Sequence, residues 1–246
     1  MRMRKKRHGS ERLYALSSLL YPVSDENFVS PTEVFGNSNP LRLEVGCGKG
    51  EFVTKLSARD TGYNYIALER VADVCVCAVE KYARSRGIGT LAPNGGWLRP
   101  DGEIVKNGET WDIPAELSGN VRFIVGEAND VITKMPADSL DEIIANFSDP
   151  WSDKVNYKKR RLTSPAFLEN YRRVLKPDGR FSFKTDNEDL FDYTLETLPT
   201  AGFEITYMTR DLHSSDRAEG NIVTEYEQNF TNQGIKIKML EARPIK

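Results

Sequence analysis

The chain has 246 residues, 39% of them hydrophobic, which suits one α/β domain with additions or at most two small domains and excludes global disorder. No apolar run approaches the roughly 18 residues of a membrane span, and no apolar stretch follows the basic start as it would in a signal peptide. The formal net charge of -2 argues only weakly against nucleic acid, because the basic residues are clustered while the acidic ones are spread.

Residues 1–38 read as a basic arm and lead-in, with Arg2, Arg4, Lys5, Lys6 and Arg7 at its start. Leu13, Leu16, Leu19 and Leu20 suggest a short helix there. From residue 39 the pattern becomes α/β. Leu41 to Val45 is a short apolar strand, followed by a glycine loop and a helical stretch from Glu51 to about Ala58. Tyr65 to Leu68 reads as a second strand. Val71, Val74, Cys75, Ala78, Val79 and Tyr82 then recur at helical spacing, with Gly87 as the stop. The segment of about 90–119 breaks the rhythm. Asn94-Gly95-Gly96, Pro100-Asp101-Gly102 and Asn107-Gly108 are turn signals, with Trp97, Ile104, Val105 and Trp111 between or beside them. They predict a small inserted β-meander, placed by its helix-to-strand position on the face away from the ligand.

Further strands are expected at Val121 to Val125, Leu140 to Phe147, Arg180 to Lys184, Phe203 to Thr209 and Ile235 to Ala242. Ser164-Pro165 opens a helix carrying Phe167, Leu168, Tyr171, Val174 and Leu175 inward, and Lys176 to Gly179 is a turn. The alternation predicts an α/β, doubly wound, mainly parallel sheet. A second basic cluster, Lys154, Lys158, Lys159, Arg160 and Arg161, lies after the fourth major strand, with Arg172, Arg173 and Lys176 as an extension.

The chemistry begins at Glu44-Val45-Gly46-Cys47-Gly48-Lys49-Gly50, between a strand and a helix. Glycines there let the chain turn tightly and let a ligand approach the main chain. A dinucleotide site reads G-x-G-x-x-G/A, whereas this loop reads G-x-G-x-G behind a carboxylate. Glu44 would repel a pyrophosphate and suits the sulfonium and ammonium of S-adenosyl-L-methionine. Glu69 is placed for ribose hydroxyls and Glu127 for an adenine edge. Asp149-Pro150-Trp151 ends the fourth major strand, where proline fixes the backbone and an aromatic can stack on a base. Three cysteines at no zinc spacing and two histidines make a metal site improbable and suit a reducing cytoplasm.

From Leu41 to Ala242, apart from the insertion, these motifs resemble the bacterial tRNA (guanine-N7-)-methyltransferases. The resemblance rests on the glycine loop, Glu69, Phe147 to Trp151, the basic run at Lys158 to Arg161, Thr185-Asp186 and Thr224-Glu225-Tyr226-Glu227, in that order. It implies a seven-stranded Rossmann-like sheet with an antiparallel C-terminal strand. It also implies a cytoplasmic enzyme, monomer or homodimer, needing no metal and methylating N7 of a variable-loop guanosine at tRNA position 46. By that resemblance Glu44, Gly46, Gly48, Glu69, Glu127 and Asp149 bind the cofactor, and Asp149 is also catalytic. Lys154, Asp186, Thr224, Glu225, Tyr226 and Glu227 contact the substrate guanosine. Glu127 stands where the family more often has Asp, Asp153 stands where it has the substrate lysine, and the insertion is outside its pattern.

Thr224 to Glu227 also forms a capping-box sequence closed by Gly234, and Asp186 also reads as a simple N-cap. A methyltransferase acting on a small-molecule or protein amine would account for the loop and Glu69 but leave the basic clusters without a role. A non-catalytic RNA-binding scaffold would leave Glu44, Glu69 and Asp149 unexplained.

Overall fold

A computed structural model describes residues 6–23, 28–93, 95–152 and 154–246. Arg2, Arg4 and Lys5 of the basic arm, Asn94 of the first insertion turn and Asp153 lie outside the described residues. In chain order the elements are α1 (Gly9–Ala15), α2 (Pro31–Phe35), β1 (Leu41–Val45), α3 (Glu51–Arg59), β2 (Asn64–Glu69), α4 (Ala72–Ser85), β3 (Thr90–Leu91), β4 (Trp97–Leu98), β5 (Ile104–Val105) and α5 (Ala115–Ser118). There follow β6 (Val121–Val125), α6 (Ala128–Lys134), β7 (Leu140–Asn146), α7 (Val155–Lys158), α8 (Pro165–Val174), β8 (Leu175–Thr185), α9 (Glu188–Thr200), β9 (Phe203–Thr209), α10 (Glu225–Thr231) and β10 (Lys238–Pro244). Seven strands form one sheet in the order β6-β2-β1-β7-β8-β10-β9. β10 runs antiparallel to both β8 and β9, as the resemblance implied.

The chain divides into two compact units, residues 1–39 with 46–128, and residues 40–45 with 129–246. In the first, β2 and β6 pair in parallel and α4 buries Cys75, Val76, Ala78, Val79, Tyr82 and Ala83. Gly50, at φ +71°, sits so close to α4 that a Cβ would lie 2.7 Å from the Ala78 Cβ, so loop and helix pack at glycine distance. The N-terminal helix is earlier than its leucines suggested. It ends at Ala15, and Ser17–Leu19 is a 3₁₀ turn that buries Leu16 and Leu19 instead of continuing the amphipathic stripe. α2 went unforeseen, although Ser30-Pro31 carries the same opening signal as Ser164-Pro165. The insertion does form an antiparallel three-stranded sheet, β3-β4-β5. It is fastened by Trp97 Nε1 donating to the Ile88 carbonyl (3.3 Å) and Ser18 Oγ donating to the Trp111 carbonyl (2.9 Å).

In the second unit, strand alternation puts Leu41, Leu43, Phe181 and Phe183 on one face, all buried. The other face carries charges that the sequence reading left unassigned. Arg42 pairs with Glu142 (2.9 Å), Glu142 with Arg180 (2.9 Å) and Arg180 with Glu241 (3.1 Å), an ion-pair ladder running from β1 through β7 and β8 to β10. Burial pushes the Glu142 carboxyl up, and the two flanking guanidiniums partly offset this. The expected turn at Lys176 to Gly179 is instead a bulge inside β8. Leu140 pairs with Leu175 and Glu142 with Arg180, so residues 176–179 loop out opposite Asp141 alone, which binds Lys176 Nζ at 2.8 Å. Ser164 precedes α8 but gives no side-chain cap; its hydroxyl bonds the Lys159 carbonyl.

Candidate active site

In the first unit the glycine loop is tied to the end of β2, because the amides of Gly46 and Cys47 both donate to the Leu68 carbonyl (2.8 and 3.0 Å). The Glu69 carboxylate is held from both sides. Gly48 N donates to Oε2 (3.0 Å) and Val71 N to Oε1 (2.8 Å), which fixes its orientation and leaves each oxygen further lone pairs. Gly48, at φ +56°, has nothing within 4 Å of a built Cβ, so one side of this main chain is open to a ligand. Glu127 is exposed and its nearest cation is Arg70 at 3.6 Å, a surface pair of small energetic weight.

In the second unit, Glu44 is buried near the carboxyl end of β1, and its charge helps keep Lys184 protonated. β7 ends at Asn146. Among the described residues Asn146 alone has both side-chain polar atoms buried without a partner, and the Ser148 hydroxyl is also buried and unpartnered. Orphaned donors and acceptors at the end of a parallel strand mark a surface that a polar ligand completes. Phe147 and Trp151 adopt φ +52° and +43°, left-handed conformations that non-glycine residues rarely occupy, so the Asp149-Pro150 turn between them is a strained and specified shape.

Arg161 holds that shape. Its Nε donates to the Pro150 carbonyl (2.7 Å), its Nη2 to the Trp151 carbonyl (3.1 Å), and its guanidinium lies 4.5 Å from the Tyr193 ring centre. At 2% exposure it is a clamp on the loop and not a solvated member of the basic cluster. The three cations that extend the cluster in sequence are also engaged within the protein. Arg172 bonds the Ile245 carbonyl, Arg173 bonds carbonyls of Ile132, Thr133 and Met135, and Lys176 pairs with Asp141. Asp149 and Lys154 are exposed.

β8 ends in Thr185-Asp186. The cap of α9 is Asn187, whose side chain accepts from Leu190 N (2.8 Å), so the Asp186 carboxylate is not spent on capping. α10 is capped by Thr224, which accepts from Glu227 N (3.2 Å) and is itself buried. Glu225 and Tyr226 face outward, and the Tyr226 ring packs on Phe147 (centroids 5.0 Å apart) and Phe230 (4.8 Å). Partial burial pushes the Tyr226 phenol up, with the negative charges of Asp186 and Asp149 adding to it. Phe147 N donates to the Lys184 carbonyl (2.8 Å) while its ring packs on Tyr226, so the Asp149 turn, the end of β8 and α10 come together.

Glu227 is placed differently from its expected role. It is wholly buried and accepts from Lys184 Nζ (2.9 Å), Asn221 Nδ2 (2.6 Å) and, at the same carboxylate, lies 2.9 Å from His213 Nε2. It does not reach back to close a reciprocal capping box; it anchors α10 to β8. Burial pushes the Lys184 ammonium below lysine's ordinary value, against the pull of Glu227 and Glu44. Lys184 and His213 were missed by the sequence reading. The one available signal was the alternation Arg180-Phe181-Ser182-Phe183-Lys184, which puts Lys184 on the polar face of a central strand.

Comparison with known proteins agrees with this geometry. Solved structures that match as folds include the 16S rRNA methyltransferase KamB (TM-score 0.57, 12% identity, 93% of this chain and 99% of that one) and an antibiotic-related methyltransferase (0.54, 18%, 93% and 98%). A family model described as a putative methyltransferase covers residues 38–240, so the class is that of Rossmann-like methyltransferases. The tRNA (guanine-N(7)-)-methyltransferase of Lachnoclostridium phytofermentans is 37% identical over 85% of this chain and 83% of its own. That of Bacillus cytotoxicus is 35% identical over 99% and 97%. The chain belongs to the tRNA (guanine-N(7)-)-methyltransferase family. Its methyl donor is S-adenosyl-L-methionine. Within the first unit the residues present suit that molecule, with an open main-chain edge at Gly48 and a pre-oriented Glu69 carboxylate able to accept from hydroxyls.

Proposed function

We propose that the protein transfers a methyl group from S-adenosyl-L-methionine to N7 of a variable-loop guanosine, position 46, in tRNA, and that it works in the cytoplasm as a monomer or homodimer. The observation that carries this reading is the strained Asp149 turn after β7, which Arg161 clamps and whose Phe147 ring packs on Tyr226 of α10. The bound cofactor supplies an electrophilic methyl on a sulfonium.

Guanine N7 already has a lone pair, so the site needs no base and no metal to create a nucleophile. The chain's task is alignment, which is worth roughly 7–11 kcal/mol in well-oriented reactions. In this reading Gly46, Gly48, Glu44, Glu69 and Glu127 hold the cofactor, with Glu69 on the ribose. Tyr226 supports the guanine ring, Thr224, Glu225 and Asp186 contact its nucleoside, and Lys154 binds nearby phosphate. Asp149 takes part in holding the cofactor and stabilises the positive charge that appears on the purine. Glu227 positions Thr224 to Tyr226 from beneath. The N7 edge is engaged in folded tRNA, so the base is exposed by local opening before transfer.

Glu69→Ala is expected to weaken binding of S-adenosylhomocysteine by about 1–3 kcal/mol, the loss of hydrogen bonds to a charged acceptor. Calorimetry showing unchanged affinity, or preference for NAD, would remove Glu69 and the loop from the cofactor site. The substrate assignment is tested by offering labelled cofactor with bulk tRNA, DNA, protein and metabolite extracts. Label is expected in tRNA; label in protein or metabolites would favour the amine-methyltransferase reading.

A further inference from the structure

The loop after Asp149 carries an aromatic cluster that the core does not use. The Trp151 and Tyr157 rings are stacked, with centroids 6.2 Å apart and planes 19° from parallel. The Arg160 guanidinium lies 5.0 Å from the Trp151 ring and 5.7 Å from the Tyr157 ring. Tyr157 is 41% exposed, Trp151 is half-buried, and Arg160 is exposed. Two parallel rings facing solvent give up burial that their area would otherwise provide. Their setting is nonetheless built. Trp151 is held at φ +43° and its carbonyl is bonded by the buried Arg161, so the indole is aimed by the same clamp that shapes the Asp149 turn. Lys154 and Lys159 are exposed on the same stretch of chain.

Flat π faces, a stacked guanidinium and flanking cations match the chemistry of an unpaired nucleobase with its phosphate. They do not match a peptide, which would call for backbone partners, nor an acidic small molecule, which has no π face. We propose that Trp151, Tyr157 and Arg160 form a stacking platform for an unstacked nucleobase next to the guanosine being methylated. This rests on the reading that the substrate is RNA. The platform holds open the strand distortion that exposes the N7 edge: the neighbour's base stays stacked on protein while the target turns into the site. It is separate from the Phe147–Tyr226–Phe230 cluster, which is built by α10.

The test uses the full chain and unmodified tRNA. Trp151→Ala is expected to weaken tRNA binding about 5- to 150-fold, the range of one lost base–aromatic stack. The slope of log affinity against log salt should stay unchanged, because stacking releases no counterions. The double variant Lys154→Gln/Lys159→Gln should flatten that slope by roughly 0.7–0.9 per lost phosphate contact. Trp151→Phe should restore most of the affinity while abolishing the quenching of tryptophan fluorescence on tRNA binding. Affinity for S-adenosylhomocysteine should be unaffected in all three. A parallel loss of S-adenosylhomocysteine affinity in Trp151→Ala would overturn the platform and make the rings a cover for the cofactor. Unchanged tRNA affinity in Trp151→Ala and Tyr157→Ala, with wild type binding normally, would overturn the platform alone. Failure of the wild type to bind tRNA would overturn the RNA reading beneath it.

Discussion

Asp149→Ala is expected to leave the thermal transition close to that of the wild type and to lower kcat for methyl transfer by roughly 10²–10³-fold, as removal of one preorganised charge-stabilising group does. The first half follows from exposure, since a solvent-facing carboxylate on a loop supports no packing. The second follows from placement. Asp149 lies on a turn whose flanking residues both occupy left-handed backbone regions, and Arg161 bonds two successive carbonyls to keep them there. Asp149→Asn separates charge from position. If the carboxylate stabilises positive charge on guanine, Asn is nearly as inactive as Ala; retention of most activity by Asn would show that hydrogen bonding alone is at work. Single-turnover rates at saturating cofactor distinguish either from a simple loss of cofactor affinity.

Lys184→Met is expected to destabilise the fold by about 3–5 kcal/mol, because it leaves the Glu227 carboxylate buried without its cation. Both side chains are almost wholly inaccessible, at 4% and 0%, so solvent cannot substitute. Lys184→Met combined with Glu227→Gln removes both charges and is expected to recover much of that loss in a double-mutant cycle. Additive losses would show that the two residues act independently. Function separates the positioning role from a contact role. In the double variant α10 is anchored only by weaker bonds, so KM for tRNA rises while affinity for S-adenosylhomocysteine holds. Were Glu227 a direct contact to guanosine, Lys184→Met alone would leave KM for tRNA unchanged in whatever fraction remains folded.

Asp149 and Glu227 show how far the sequence alone reaches. The position of Asp149 in a turn after a strand end was legible because proline and tryptophan follow it, and local backbone shape is written in adjacent letters. The glycine loop was legible for the same reason, and the alternation of strands and helices followed from apolar runs between helical periods. Glu227 was legible as a motif member but not in its direction. A capping-box spacing fixes the backbone partner, Glu227 N to Thr224 Oγ1, and says nothing of where a long side chain finds a buried cation 43 residues away in sequence. Arg161 was hidden in a basic run, because charge pattern treats every cation as solvated, whereas its neighbours Lys159 and Arg160 are exposed and it is not. Asp186 was offered as a cap and Asn187 takes that place, a shift of one residue that frees the carboxylate. The Arg42–Glu142–Arg180–Glu241 ladder was likewise invisible, since it needs the register of four strands and not the composition of any one.

The atom that receives the methyl group defines the activity. Unmodified tRNA incubated with the protein and deuterium-labelled S-adenosyl-L-methionine, then digested to nucleosides and analysed by mass spectrometry, tests it directly. Labelled 7-methylguanosine is expected, mapped to position 46 in the variable loop. Label on an exocyclic amine or on a ribose hydroxyl would contradict it, because nothing proposed for Asp149, Asp186 and Tyr226 provides the base that a hydroxyl acceptor requires.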